Sequence, residues 1–346
     1  MNIFLTSLMA FASGAFGVAI GAAASIIMCA LVALVGLAAN FAGADFNLVG
    51  EVTFGLLLGP QVSFAPTCCA LGYAWKRGYI KNSRDIFTPL ISLNHTDILA
   101  VGGLFGIAGW YLNVFLEQTA GVRIDCVAMS VTLLSIAGKW YFSGSPIGKM
   151  SNGQKRFEPG SPCWLPWQTA GTDWNLLALG IMVSLPSGGA TLTLCAAATE
   201  SGNPFLASQS DLLIWAIGLI LLILLAAGHS VPVFHHIGLC ASLAAKMVLE
   251  AGGSEAQAVL WAAATGLLAT YAGDWLGKLF GANGEGYVDS PTAAIAAVAP
   301  FPLFLFPLMG ADRPESPLFF VLLLAILAGI MLYDINYKRR CRAAKI

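Results

Sequence analysis

The stretch Gly59-Pro60-Gln61-Val62-Ser63-Phe64-Ala65-Pro66-Thr67-Cys68-Cys69-Ala70-Leu71-Gly72-Tyr73-Ala74 is apolar enough for a bilayer, yet holds two prolines, an amide and two hydroxyls. A second stretch, Val231-Pro232-Val233-Phe234-His235-His236-Ile237-Gly238-Leu239-Cys240-Ala241-Ser242-Leu243-Ala244-Ala245, has the same shape. Laying Pro60 on Pro232 also lays Cys68 on Cys240 and Leu71 on Leu243, at an offset of 172 in a chain of 346 residues. Each stretch sets a helix-breaking proline just ahead of polar side chains. At membrane depth such a break is tolerated only where protein lines a cavity. The two stretches therefore read as two halves of one site.

Composition sets the class. Hydrophobic residues make up 58% of the chain and charged residues 10%, against roughly a quarter charged in ordinary soluble domains. Mean hydropathy is +0.77, as expected of an integral membrane protein with many spans. The net charge of −1 offers no basic footprint for nucleic acid. The 38 glycines suit close helix packing in lipid. Most of the eight cysteines fall inside apolar runs, without zinc-ligand spacing, so free buried thiols and no disulfide framework are expected. No Lys or Arg precedes the first apolar run, which speaks against a cleaved signal peptide.

The apolar runs give an all-α bundle of about ten spans, near residues 22–41, 53–75, 96–116, 125–141, 174–198, 212–227, 228–249, 256–279, 291–309 and 317–333. Gly14, Gly17 and Gly21 are expected to break the first run. Residues 4–20 stay open as a short span, a re-entrant piece or an interfacial helix. Basic loops after the second and fourth spans, together with the tail, put both termini in the cytoplasm. A span within residues 4–20 would move the N-terminus outside. The two proline stretches lie in spans two and seven, five spans apart, so they cross in opposite directions and the repeat is inverted, five plus five. The first half is 1–142 with span 174–198, the linker 143–173, the second half 199–335 and the basic tail 336–346. Gly121-Val122-Arg123-Ile124-Asp125 pairs loosely with Gly286-Tyr287-Val288-Asp289, and Gly102, Gly103, Gly106 and Gly109 with Gly266 and Gly273. Inverted repeats with broken helices are a recurring transporter plan.

Two segments, Gly59-Pro60-Gln61-Val62-Ser63-Phe64-Ala65 and Asp97-Ile98-Leu99-Ala100-Val101-Gly102-Gly103-Leu104-Phe105-Gly106, resemble an uncharacterised family of prokaryotic polytopic, permease-like membrane proteins. The resemblance covers about a third of the chain. It implies a permease-like protein and assigns neither substrate nor site.

The candidate substrate residues are Gln61, Ser63, Thr67, His235 and His236, with Pro60 and Pro232 as the structural breaks. Half-helices that start after a proline expose unpaired amides able to hold an anion. The competing reading is a pair of simple kinks repaired by neighbouring helices. A site histidine could move protons with solute; otherwise the pair is one bonded core histidine and one interfacial one. Asp97 and Asp274 are candidate coupling carboxylates. Asp97 also suits a first-turn position behind a cap, and Asp274 could pair with Lys246.

These features predict a secondary transporter for a small polar or anionic solute, with no cofactor beyond a coupling sodium ion or proton. The alternatives are a passive channel, an intramembrane enzyme with His95, Asp97, His235 and His236 as metal ligands, and a subunit of a membrane complex. The expected partners are the lipid bilayer and a small-molecule or ion substrate, with a homo-oligomer left open.

Overall fold

The computed structural model describes residues 2–149, 156, 173–306 and 317–343, and these form an all-α protein. The first five helices are α1 (Ile3–Ile20), α2 (Ala22–Phe41), α3 (Phe64–Lys76), α4 (Thr96–Thr119) and α5 (Cys126–Ser143). The next long ones are α6 (Asp173–Ser201), followed by a single short turn Pro204–Ser208, then α7 (Leu213–Ile220, continued by Leu222–Ala226), α8 (His235–Glu250), α9 (Glu255–Gly281) and α10 (Ser290–Val298). A last helix, α11 (Pro317–Ala343), follows. Five helices (α1, α2, α4, α5 and most of α6) are long and apolar enough to cross a membrane. Most of the linker 143–173, Arg313, Asp312, Glu315 and the tail beyond 343 lie outside the described residues.

The first run is two helices. Asn2 caps α1 by accepting a hydrogen bond from the Leu5 amide at 2.8 Å. Gly21, at φ +93°, is the single residue between α1 and α2, a conformation that glycine adopts without penalty. Gly14 and Gly17 were also expected to break the run, but both stay inside α1. Their missing side chains serve packing. A Cβ on Gly14 would stand 2.3 Å from the Gly102 carbonyl oxygen, and one on Gly106 would stand 2.4 Å from that of Ala10. Small residues thus bring α1 and α4 into backbone contact. The two helices run antiparallel, since Ser7 meets Tyr111 at 3.0 Å while Gly14 meets Gly102 further along.

The packing of α1–α5 recurs in α6–α10. As α1 packs on α4 and α3, so α6 packs on α9 and α8. As α3 packs on α4 and α5, so α8 packs on α9 and α10. Two contacts join equivalent helices across the groups, α2 with α7 and α5 with α10. The largest core cluster takes in residues of both groups. Helix α11 adds itself to α9 and α6, with Tyr333 edge-on to Trp275 at 5.5 Å.

Candidate functional site

A cavity of about 380 Å³ lies between the two groups of helices. Its walls are mainly apolar: Phe54, Phe64 and Ile26 come from the first group, and Trp215, Leu219 and Leu239 from the second. The polar members are Asn47, Gln209, Asp125, Asp211, His235 and Asp289, with Ser208 and Thr292 beside them.

Both proline stretches interrupt the helical path next to this cavity. Before α3 the chain makes one π-helical turn, Val49–Thr53, and then runs without regular helix to Ser63. Before α8 it is non-helical over residues 227–234. At 1.5 Å per residue, the 13 residues of α3 and 16 of α8 reach only about 20 and 24 Å. Neither helix carries a side-chain cap at its start. Pro60 is buried and lines the cavity, whereas Pro232 is exposed and lies outside its walls.

Two aspartates occupy equivalent places in the two groups. Asp125 caps α5 by accepting from the Ala128 amide at 2.8 Å. Asp289 caps α10 by accepting from the Thr292 amide at 2.8 Å, and also takes hydrogen bonds from the Thr292 hydroxyl and, at 2.8 Å, from Tyr287. Asp289 is buried, and no cationic side chain pairs with it among the described residues. Asp211 differs, since Lys246 Nζ lies 3.3 Å from its Oδ1.

The sequence-selected residues divide. His235 lines the cavity, is 4% exposed, and its Nδ1 has no hydrogen-bond partner among the described residues. His236 is buried beside it, with ring centroids 5.9 Å apart, and stays outside the cavity walls. Gln61, Ser63 and Thr67 are fully buried and are not among the lining residues. Their polar groups serve the break itself. Gln61 Nε2 donates to Phe54 O at 2.9 Å, Ser63 Oγ to Leu58 O and Gly59 O at 3.1 Å, and Thr67 Oγ1 to Ser63 O at 2.8 Å.

The coupling candidates also lie away from the cavity. Asp97 accepts from Tyr73 at 2.8 Å and from Tyr79 at 3.1 Å, and His95 stacks on Tyr79. The pairing of Asp274 with Lys246 is corrected: Asp274 bonds Lys278 one turn along α9, while Lys246 reaches Asp211 and the Ser208 carbonyl. His95, Asp97, His235 and His236 do not converge, and among the described residues no three His, Cys, Asp or Glu side chains form a metal-binding group.

Two polar clusters tie the helix groups together at opposite ends of the cavity. One is charged. Lys139, 1% exposed, donates to the carbonyls of Phe280 and, at 3.2 Å, Asn283, while Arg84 donates to Gly281 O at 2.7 Å. Ser83 adds a bond to Glu285 at 2.6 Å. Two cations thus cover the carbonyl end of α9, where the helix dipole favours positive charge. The other cluster is built of amides. Asn203 Nδ2 donates to Asn40 O at 3.1 Å and Ala44 O at 2.7 Å, and Gln209 Nε2 to Asn47 Oδ1 at 2.9 Å.

Sequence reasoning had paired Asp125 with Asp289 only as markers of the repeat, and it passed over Trp215, Lys139 and the amides. The signal for the aspartates was the same in both places, a loop glycine followed by an aspartate at a helix start. The chain matches the model of a family of unknown function, DUF7973, over residues 1–161 and 163–306. No curated protein and no solved structure matches it.

Proposed function

From a chain that belongs to the family of unknown function DUF7973, we propose a secondary membrane transporter for a small solute, its site the cavity between two interrupted helices. Two inverted halves, α1–α5 and α6–α10, carry the site, and α11 is an addition to the second. The observation that carries this reading is the cavity flanked by α3 and α8, one short, uncapped, proline-preceded helix from each group.

The recurring packing supports the repeat, and so does the place where the family match divides, within the segment that joins α5 to α6. Five crossing segments per half reverse the direction of each equivalent pair. This draws the boundary differently from the sequence reading, which gave residues 174–198 to the first half. The packing of α6 on α8 and α9 supports its place in the second half. Solute movement is coupled to protons or sodium, with Asp289 and His235 in the role expected of Asp97 and Asp274.

Eleven crossing segments place the two termini on opposite sides. Lys76, Arg77, Lys81, Arg84 and Lys139 gather at the end where α3 and α5 finish, and exposed Trp140, Tyr141 and Trp174 lie at the same end, as at a cytoplasmic interface. The N-terminus is then outside, the outcome foreseen for a span within residues 4–20. A cysteine at position 2 is expected to react with a membrane-impermeant maleimide on intact cells, and Cys341 only after permeabilisation. The reverse pattern would overturn this orientation.

The function is tested by concentrative uptake into proteoliposomes carrying a proton or sodium gradient. Accumulation above the external concentration is expected, and its loss in the double variant Pro60→Leu, Pro232→Leu. Solute that only equilibrates would favour the channel. Full uptake by the double variant would remove the site from the broken helices.

A further inference from the structure

The walls of the cavity carry three aspartates, one histidine and several aromatic rings, and no Lys or Arg among the described lining residues. We propose that the cavity binds protonated organic amines with an apolar body. This rests on the transport reading only for what the site is used for; the binding itself stands on the geometry.

Charge comes first. Asp211 is balanced by Lys246, but Asp289 is buried against the cavity and, among the described residues, takes hydrogen bonds only from neutral donors. A buried charge without a counter-ion is costly, and an entering cation relieves that cost while an entering anion adds to it. Asp125, half-buried, adds a second helix-capping carboxylate to the wall. His235, in the same wall, carries an Nδ1 with no hydrogen-bond partner among the described residues, an acceptor when the imidazole is neutral.

The rest of the cavity suits an organic cation, larger and less polar than a coupling proton or sodium ion. About 380 Å³ falls within the range of pockets for small organic ligands. Phe54 and Trp215, with ring centroids 5.4 Å apart, and Phe64 supply aromatic faces. Such faces attract organic cations through the ring quadrupole, most strongly where water is excluded. Ile26, Leu219 and Leu239 offer an apolar bed for the body of the molecule. Carboxylates with aromatic and aliphatic walls form a selective site for a cation with a hydrocarbon body.

The test measures binding to the purified full-length protein in a neutral detergent by calorimetry and thermal shift. Three probes share one body: 2-phenylethylammonium, 2-phenylethanol and 3-phenylpropionate. The ammonium is expected to bind and raise the melting temperature, and the alcohol and carboxylate to fail at the same concentrations. Asp289→Asn keeps a residue able to cap α10. It is expected to weaken the ammonium about thirtyfold or more, as loss of a buried charge partner does, while the melting temperature without ligand holds. Equal binding of all three probes, preference for the carboxylate, or unchanged affinity in a folded Asp289→Asn protein would overturn the proposal. Ammonium binding without uptake in proteoliposomes would retain the amine site and reject the transport reading. Uptake of another solute class without ammonium binding would do the reverse.

Discussion

Replacing Lys139 by Met should lower the stability of the detergent-solubilised protein by about 1–4 kcal/mol, because the buried Asn283 carbonyl loses its donor at about 1–3 kcal/mol and the partly buried Phe280 carbonyl at less. Those carbonyls belong to Phe280 and Asn283, at the end of α9 and in the loop after it, whereas Lys139 belongs to α5. Methionine fills a similar volume, so the loss isolates the polar contact from packing. The second consequence is access. Cys68 is 2% exposed and sits in α3, one turn after the cavity-lining Phe64. Once the charged cluster is broken, its thiol is expected to react with a maleimide that leaves the parent protein unlabelled. Exposed Lys81, on a neighbouring loop, is the control, and Lys81→Met should change stability by no more than about 0.5 kcal/mol. A Lys139→Met protein that melts like the parent with Cys68 still unreactive would show that this cluster does not hold the halves together.

An equally large effect is expected from one methyl group on α4. A Cβ at Gly109 would stand 1.8 Å from the Gln61 carbonyl oxygen and 3.2 Å from Leu134. That oxygen belongs to backbone inside the break before α3, so no side chain can swing aside to make room. Gly109→Ala is expected to cost about 3 kcal/mol or more, at the upper end of overpacking penalties, and to cut the yield of monodisperse protein sharply. Any folded fraction should have lost uptake, since the segment ahead of α3 must shift. The matched control is Gly189→Ala in α6, where nothing lies within 4 Å. There alanine should be neutral or stabilising by up to about 1 kcal/mol, through its better helix propensity. Equal melting temperatures for the two variants would rule out tight packing of α4 on the break.

The helical class and the two breaks were legible because proline and apolar length act locally. Pro60 and Pro232 remove a backbone donor wherever they stand, and both precede a short helix here. Gly21 could not be told from Gly14 and Gly17 by sequence. All three lack a side chain, and only the tertiary contacts with Gly102 and Ser63 decide that two of them stay helical. The wall residues were hidden for a related reason. In a chain this apolar, outward and inward helix faces look alike, so periodicity points to no particular neighbour. Ser63 and Thr67 were selected as polar groups in need of partners, and they found them in carbonyls four residues back. Asp289 was visible, but its position against Phe54 and Trp215 depends on a contact between distant parts of the chain.

That sharing of walls has a consequence in time. Phe54, Phe64 and Asp125 are synthesised long before Trp215, His235 and Asp289. At about 5–20 residues per second, the interval between Asp125 and Asp289 lasts roughly ten to thirty seconds. Throughout it the nascent chain displays one open flank, Ile26 and Val131 included, that its own later helices are built to cover. That flank stays uncovered by the chain itself until α7 and α10 arrive against α2 and α5. A chain halted after α5 therefore carries half a wall and no chamber.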